Sequence, residues 1–363
     1  MLTIIYAILV FGLLIGVHEA GHLVAAKLVG VTVYEFAIGM GPKIFSFTKG
    51  GTKYSLRIFP IGGFCKMDGE DETSENEGAL CNKTVWQRLF VVASGAIMNV
   101  ILGFLIYVIS VSVYSPAIGT NSIESVIPDS PAYFAGIMAG DKIVEIDSAN
   151  VYTPSDINFE IYTQSADEFE VTFKRDGKKI KRFIKPALYI ESYEGENGEI
   201  LGGYFADTNT PKEIKDAYGR YLIGCTFSYE DKTFLGVIKS ALCQSRSTVR
   251  VVFYSLKMLI TGQVGVNDVS GPVGIVEQIG TSAKSGLYSL LMLVALITIN
   301  LGVFNLLPVP ALDGGRVFFL IVEIIRRKPI PPEKEGAVHF VGLALLLLLM
   351  LVVTANDILK IFR

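Results

Sequence analysis

The chain predicts a polytopic α-helical membrane protein with about four transmembrane helices, a membrane-associated β-hairpin and an extracytoplasmic α+β domain. Three observations lead there. Of 363 residues, 51% are hydrophobic and only 18% charged, where soluble globular chains carry about 25% charge; mean hydropathy is +0.47. Several apolar runs reach the roughly 20 residues a helix needs to span a bilayer. Lys and Arg gather in the loops between some of those runs. The lipid bilayer is therefore the first partner, and a formal net charge of -3 argues against nucleic acid as another.

The runs are Leu2 to Val29, Leu89 to Tyr114, Leu287 to Leu307 and Ala337 to Thr354. A shorter stretch, Val317 to Ile325, ends in Arg326-Arg327-Lys328 and predicts a helix at or near the membrane surface. The first run has no basic residue ahead of it and continues into His18 and Glu19, which predicts a retained span rather than a cleaved signal. Lys43, Lys49, Lys53, Arg57, Lys66, Lys83 and Arg88 lie between the first two spans. Arg316, Arg326, Arg327, Lys328 and Lys334 lie between the last two. The positive-inside rule puts both loops in the cytoplasm and both termini outside; Lys360 and Arg363 mildly oppose it. The expected organisation is an N-terminal membrane core (1–114), an external domain (119–187), a linker with an amphipathic helix (188–286) and a C-terminal membrane core (287–363).

Residues 51–67 mix β-branched and aromatic residues with alternating polarity, and Pro60 and Gly62-Gly63 add turn signals, which predicts the hairpin. The acidic stretch from Asp68 to Glu77 reads as a solvated loop or as a flap beside an entrance. Outside the membrane, strand signals at Ser122–Ile127 and Lys142–Asp147 precede a helix signal at Ser155–Tyr162. Strands at Phe169–Arg175 and Lys178–Lys185 follow, joined by the hairpin dipeptide Asp176-Gly177. This order, with Ser130-Pro131-Ala132, Ala135-Gly136 and Gly140-Asp141, resembles a circularly permuted PDZ domain of the bacterial type. The resemblance implies binding of peptide C-termini by strand addition; a domain that only supports structure is the alternative. Residues 190–229 carry little periodic signal, whereas Phe234 to Gly262 has helical period with Lys239, Arg246, Arg250 and Lys257 between its apolar positions. Cys225 and Cys243 fall outside the membrane, where pairing is chemically open to them.

The chemistry sits in Val17-His18-Glu19-Ala20-Gly21-His22. Residues four apart share a helix face, so His18 and His22 can aim ring nitrogens at one zinc ion, and Glu19 can reach a water activated there. Ionisable groups at membrane depth cost roughly 2.5–3.5 kcal/mol each on insertion scales and are functional by default. A catalytic zinc takes three protein ligands, and the third is Asp313 or His339. Asp313 is the stronger candidate: two prolines and two glycines break the apolar helix around it, and irregular backbone at that depth belongs beside protein or water.

These signatures resemble, in order, the site-2 protease family of intramembrane zinc metalloproteases in its bacterial branch. Beyond the zinc motif, the likeness rests on Tyr34–Pro42, Gly62-Gly63-Phe64-Cys65-Lys66-Met67, Trp86-Gln87-Arg88, Gly271-Pro272-Val273-Gly274-Ile275 and Asn305–Gly315. It implies zinc held by His18, His22 and Asp313, with Glu19 as general base. It implies substrate contacts from Asn305 and from hairpin residues Gly62, Gly63 and Phe64. It further implies a bacterial cytoplasmic-membrane location, and transmembrane protein substrates such as anti-sigma factors or remnant signal peptides. One departure stands out: the family often has Gly-Pro where this chain has Gly95-Ala96, with Asn99 retained. Two other readings are a non-catalytic scaffold that holds partners through the external domain, and a transporter with an intramembrane ion relay. A scaffold does not need the costly intact zinc motif, and no inverted repeat supports a transporter.

Overall fold

The computed structural model describes residues 2–70, 72–164, 167–194, 199–206, 210–263 and 270–361. Asp71 of the acidic stretch and Arg363 of the terminal charge balance lie outside them. The chain divides into two compact units, one of Met1–Ser110 with Thr248–Arg363 and one of Val111–Ser247.

The first unit opens with helix α1 (Leu2–Leu28), apolar on nearly every side, with Lys27 in its last turn where a cation suits the helix dipole. Strands β1 (Val33–Lys49) and β2 (Thr52–Met67) follow. The 51–67 stretch is therefore not a hairpin by itself but the second strand of a longer one. Its turn lies at Gly50-Gly51, with φ of 58° and 78°, the left-handed pair that a two-residue hairpin turn requires. Gly39, Gly41 and Pro42 interrupt the alternation in β1 and hide it from a periodicity reading. The ribbon also folds over on itself. Lys43–Lys49 pairs with the start of β2, while Glu35 to Ile38 has partners on two sides, at Lys53–Leu56 and at Gly63–Lys66. The Gly63–Lys66 segment thus lies outermost on its side.

Helix α2 (Val85–Val113) begins with a capping box. The Gln87 N–H donates to Thr84 Oγ1 at 3.4 Å, and the Thr84 N–H donates to Gln87 Oε1 at 3.1 Å. A Cβ on Gly21 would lie 2.5 Å from the Ser94 carbonyl oxygen, so α1 and α2 cross backbone to backbone.

The second unit contains β3 (Ile118–Val126), the short α3 (Pro131–Phe134), β4 (Lys142–Ile146), β5 (Ala149–Asn150), α4 (Pro154–Gln164), β6 (Phe169–Arg175) and β7 (Lys178–Ile184). The Asp176-Gly177 turn joins β6 to β7 in an antiparallel pair. Ser130 caps α3, accepting from the Tyr133 N–H at 3.2 Å. Asp141 takes two hydrogen bonds from the Arg175 guanidinium, each 2.7 Å, which holds the Arg175 pKa above its ordinary value. The weakly periodic region is not structureless. It supplies β8 (Ala187–Ile190), β9 (Tyr193–Glu194), β10 (Ile200–Leu201), β11 (Tyr204–Phe205), α5 (Lys212–Tyr218), β12 (Gly219–Leu222) and β13 (Cys225–Glu230). These strands are short, and brief runs leave little period to read. The largest sheet runs β13-β3-β4-β6-β7, with β5 on β4, so its edge strand comes from well beyond residue 187. Ile143, Ile146, Ile157, Phe169, Val171 and Phe173 fill its core. All four cysteines are free thiols, and burial pushes the Cys225 thiol up to about 12.

Helix α6 (Phe234–Ile260) has the helical period its sequence predicts, and the boundary between the units falls within it. Helix α7 (Pro272–Lys284) and helix α8 (Leu287–Leu306) follow. Helix α9 (Asp313–Arg326) starts four residues ahead of the expected Val317, so Asp313 is its first residue. Helix α10 (Pro332–Ile361) closes the chain, and its Asp357 carboxylate accepts from the N–H groups of Gly271 (3.1 Å) and Gly274 (2.9 Å) at the start of α7. Among the described residues four helices, α1, α2, α8 and α10, are long and apolar enough to cross a membrane. The apolar window of α10 is 6% buried, against 44% for α2.

Candidate metal centre

One turn of α1 brings the His18 and His22 rings edge to face, with Nε2 atoms 3.3 Å apart. His22 Nδ1 lies 2.9 Å from the Val91 carbonyl oxygen. A carbonyl only accepts, so that bond fixes the proton on Nδ1 and leaves Nε2 with a lone pair. Helix α2 passes directly over both rings. A Cβ on Gly95 would stand 2.3 Å from His22 Nε2 and 2.8 Å from His18 Cε1, so this position admits no side chain.

Asp313 arrives by a different route. Helix α8 stops at Leu306, and residues 307–312 form an irregular turn before α9 begins. Ala311 takes a left-handed φ of 75°, and its N–H donates to His339 Nδ1 at 3.0 Å. The turn is tightly wrapped: a Cβ on Gly314 would fall 2.0 Å from the Leu307 carbonyl oxygen. Asp313 Oδ2 then lies 3.2 Å from His18 Nε2 and 3.3 Å from His22 Nε2. At the N-terminus of α9 its negative charge is also favoured by the helix dipole.

The three donor atoms thus form a nearly equilateral triangle with edges of 3.2–3.3 Å. Ligands about 2.0–2.1 Å from a tetrahedral zinc are about 3.3–3.4 Å apart. Asp313 Oδ2 is buried and accepts no hydrogen bond from the described residues. Electron-rich atoms crowded in this way repel unless a cation lies among them. Two imidazoles and a carboxylate fit zinc.

The triangle opens onto a cavity of about 400 Å³ lined by Glu19, Gly63, Phe64, Cys65, Lys66, Met67, Glu70 and Arg316 as well as the three donors. Gly63 packs on the Glu19 side of α1: a Cβ there would lie 3.0 Å from Glu19 Cγ. Phe64 sits beneath the Arg57 guanidinium, 4.9 Å from the ring centroid. A second cavity of about 530 Å³, with Arg88, Glu323 and Glu335 in its wall, shares Glu70, Val92 and Arg316 with the first. Arg316 donates to Glu70 at 2.9 Å where the two meet. The acidic loop beside them is tied down. Burial works against ionising Asp68, but hydrogen bonds from Asn76, Ser74 and Tyr34 outweigh it and hold the carboxyl below its usual range.

Not every residue singled out from sequence joins the cluster. Asn305 is half-buried in the last turn of α8 and is not part of the cavity wall, and neither is Gly62. His339 stays outside the triangle and holds the Asp313 turn instead. The parts played by Gly95 and His339 depend on contacts between distant segments, so nothing in their local sequence announces them.

A match to Peptidase family M50 extends over residues 6–349. The chain belongs to that family, the site-2 proteases. A Clostridium perfringens protein is 38% identical over 357 residues, covering 98% of each chain. Zinc metalloprotease RasP of Geobacillus kaustophilus is 32% identical, covering 99% of this chain and 98% of its own. Regulator of sigma-W protease RasP of Bacillus subtilis is also 32% identical, with 99% of both chains covered. The family likeness read from the ordered motifs is thereby borne out, and with it zinc as cofactor, peptidase activity and a multi-pass membrane protein.

Proposed function

We propose that this M50 peptidase hydrolyses peptide bonds within the transmembrane segments of single-span membrane proteins, such as anti-sigma factors or remnant signal peptides. In this reading His18, His22 and Asp313 hold the zinc and Glu19 is the general base. The observation that carries it is the 3.2–3.3 Å triangle of donors opening onto the cavity that Glu19 lines. When bound, zinc supplies Lewis-acid polarisation of a carbonyl and brings the pKa of water towards ~7. Glu19, in the wall of the same cavity, would take a proton from the attacking water and later deliver it to the leaving amine. Asn305 donates to the substrate backbone or to the developing oxyanion.

A helical substrate has its peptide groups bonded internally and must unwind before it is cut. The outermost Gly63–Lys66 segment lies beside the cavity and can accept the unwound chain as an added strand, which replaces the lost hydrogen bonds. Phe64 and the glycines Gly62 and Gly63 contact the substrate there. Water reaches the site through the polar second cavity, on the side where the Lys/Arg-rich loops place the cytoplasm. Both termini then lie outside a bacterial cytoplasmic membrane. The second unit is a PDZ-like domain. Among the described residues β13 ends the sheet, next to β3, and this outer edge supports binding of peptide C-termini by strand addition.

The decisive experiment is Glu19→Gln in the purified full chain, assayed on a model single-span substrate. Cleavage falls by at least about 10²-fold, as expected on loss of a general base, while insertion and zinc content stay at wild-type values. Cleavage at the wild-type rate would remove Glu19 from the mechanism.

A further inference from the structure

The two zinc-facing rings are oriented by unlike partners. His22 is served by a backbone carbonyl, which can only accept. His18 is served by the side-chain amide of Asn99, a residue of α2 with 0% exposure, whose Nδ2 lies 3.3 Å from His18 Nδ1. The other amide atom, Asn99 Oδ1, is buried with no hydrogen-bond partner among the described residues. An amide can face the ring with either atom, so Asn99 alone does not impose a tautomer until its own orientation is set.

A neutral imidazole that ligates through Nε2 carries its proton on Nδ1. An N–H cannot donate to an NH₂ group. A half-turn of the amide about Cβ–Cγ exchanges its two ends and brings Oδ1 to His18 Nδ1. We propose that Asn99 is a positioning residue for the zinc site: its Oδ1 accepts the Nδ1–H of His18 and so commits Nε2 to the metal. The inference rests on His18 being a zinc ligand. It gives the buried, unpartnered oxygen a use that helix packing does not. No proton or charge is gained or lost; one N–H···O bond replaces the N···N contact.

The test uses the full chain in detergent, with zinc affinity measured by chelator competition and the melting temperature measured on zinc-stripped protein. Asn99→Leu keeps the shape but removes the acceptor. It should weaken zinc binding by about 10–100-fold, the usual cost of losing such an outer partner, while the stripped protein melts as wild type. Asn99→Asp offers an acceptor at both positions and should hold zinc within a few-fold of wild type. Wild-type affinity in Asn99→Leu, or equal losses in both variants, overturns the proposal. Nitrogen-15 spectra of histidine-labelled wild type give a readout independent of any variant. Zinc-bound His18 should show a protonated Nδ1, and a bare Nδ1 overturns the idea. His18→Ala distinguishes the two levels: if it binds zinc like wild type, the ligand assignment itself is wrong.

Discussion

The site has two halves built on opposite principles. His18 and His22 come from one regular helix, and 3.6-residue periodicity alone places their rings together. Asp313 comes from a broken segment, and its place depends on a left-handed Ala311, a wrapped Gly314 and a bond from a different helix, α10. Two donors on one helix are robust to events elsewhere, whereas a donor that opens a helix after an irregular turn is only as well placed as the contacts that clamp that turn.

That contrast can be pressed experimentally. The largest effect should come from Gly314→Ala, whose methyl would meet the Leu307 carbonyl oxygen at 2.0 Å. Overpacking of this kind costs roughly 1–3 kcal/mol, and a ligand displaced by about 1 Å loses about 10²-fold in rate. Peptidase assays with zinc analysis should show both activity and metal falling. An equal loss from an alanine on the solvent face of α9 would erase the distinction. A smaller effect is expected from His339→Leu, which leaves the Ala311 N–H without its acceptor. A donor left unsatisfied costs up to about 1–3 kcal/mol when buried, and this one is part-buried, so zinc affinity should fall by up to about tenfold. His339→Asn, which can present an oxygen near the Nδ1 position, should recover most of it. The smallest effect concerns the loop beside the cavity. Asp68 has a depressed pKa in the folded chain, so its contribution is complete above about pH 4. It is lost as pH falls through the lower folded value. Hydrogen exchange at the Leu80 amide, which donates to the Asp68 carbonyl at 2.7 Å, should rise in that acidic window after correction for intrinsic rates. Asp68→Asn should flatten the dependence.

The spans were legible because length and apolarity decide them, and the observed helices match the expected runs within a few residues, except that α10 starts earlier and ends later. The pairing of His18 with His22 was legible because a four-residue spacing on a helix is local geometry. The first strand of the hairpin was not, since Gly39, Gly41 and Pro42 break the alternation that marks a strand. The start of α9 was missed because glycines at 314 and 315 argue against a helix on propensity, while packing against the turn requires them. Strand β13 is six residues long, and its place beside β3 is a pairing about a hundred residues apart in sequence. Gly95 drew notice only for lacking a proline after it, although its missing side chain is what lets α2 lie against the two imidazoles.

Helix α10 is fastened near each end and packed little between, with His339 gripping the Ala311 amide and Asp357 gripping the start of α7. Eighteen residues separate these grips, about 27 Å of helix at 1.5 Å per residue. A span longer than the local hydrocarbon thickness is accommodated by tilting. The rod is hooked to the peptide two residues ahead of Asp313, so one continuous string of contacts runs from the carboxylate along α10 to the start of α7.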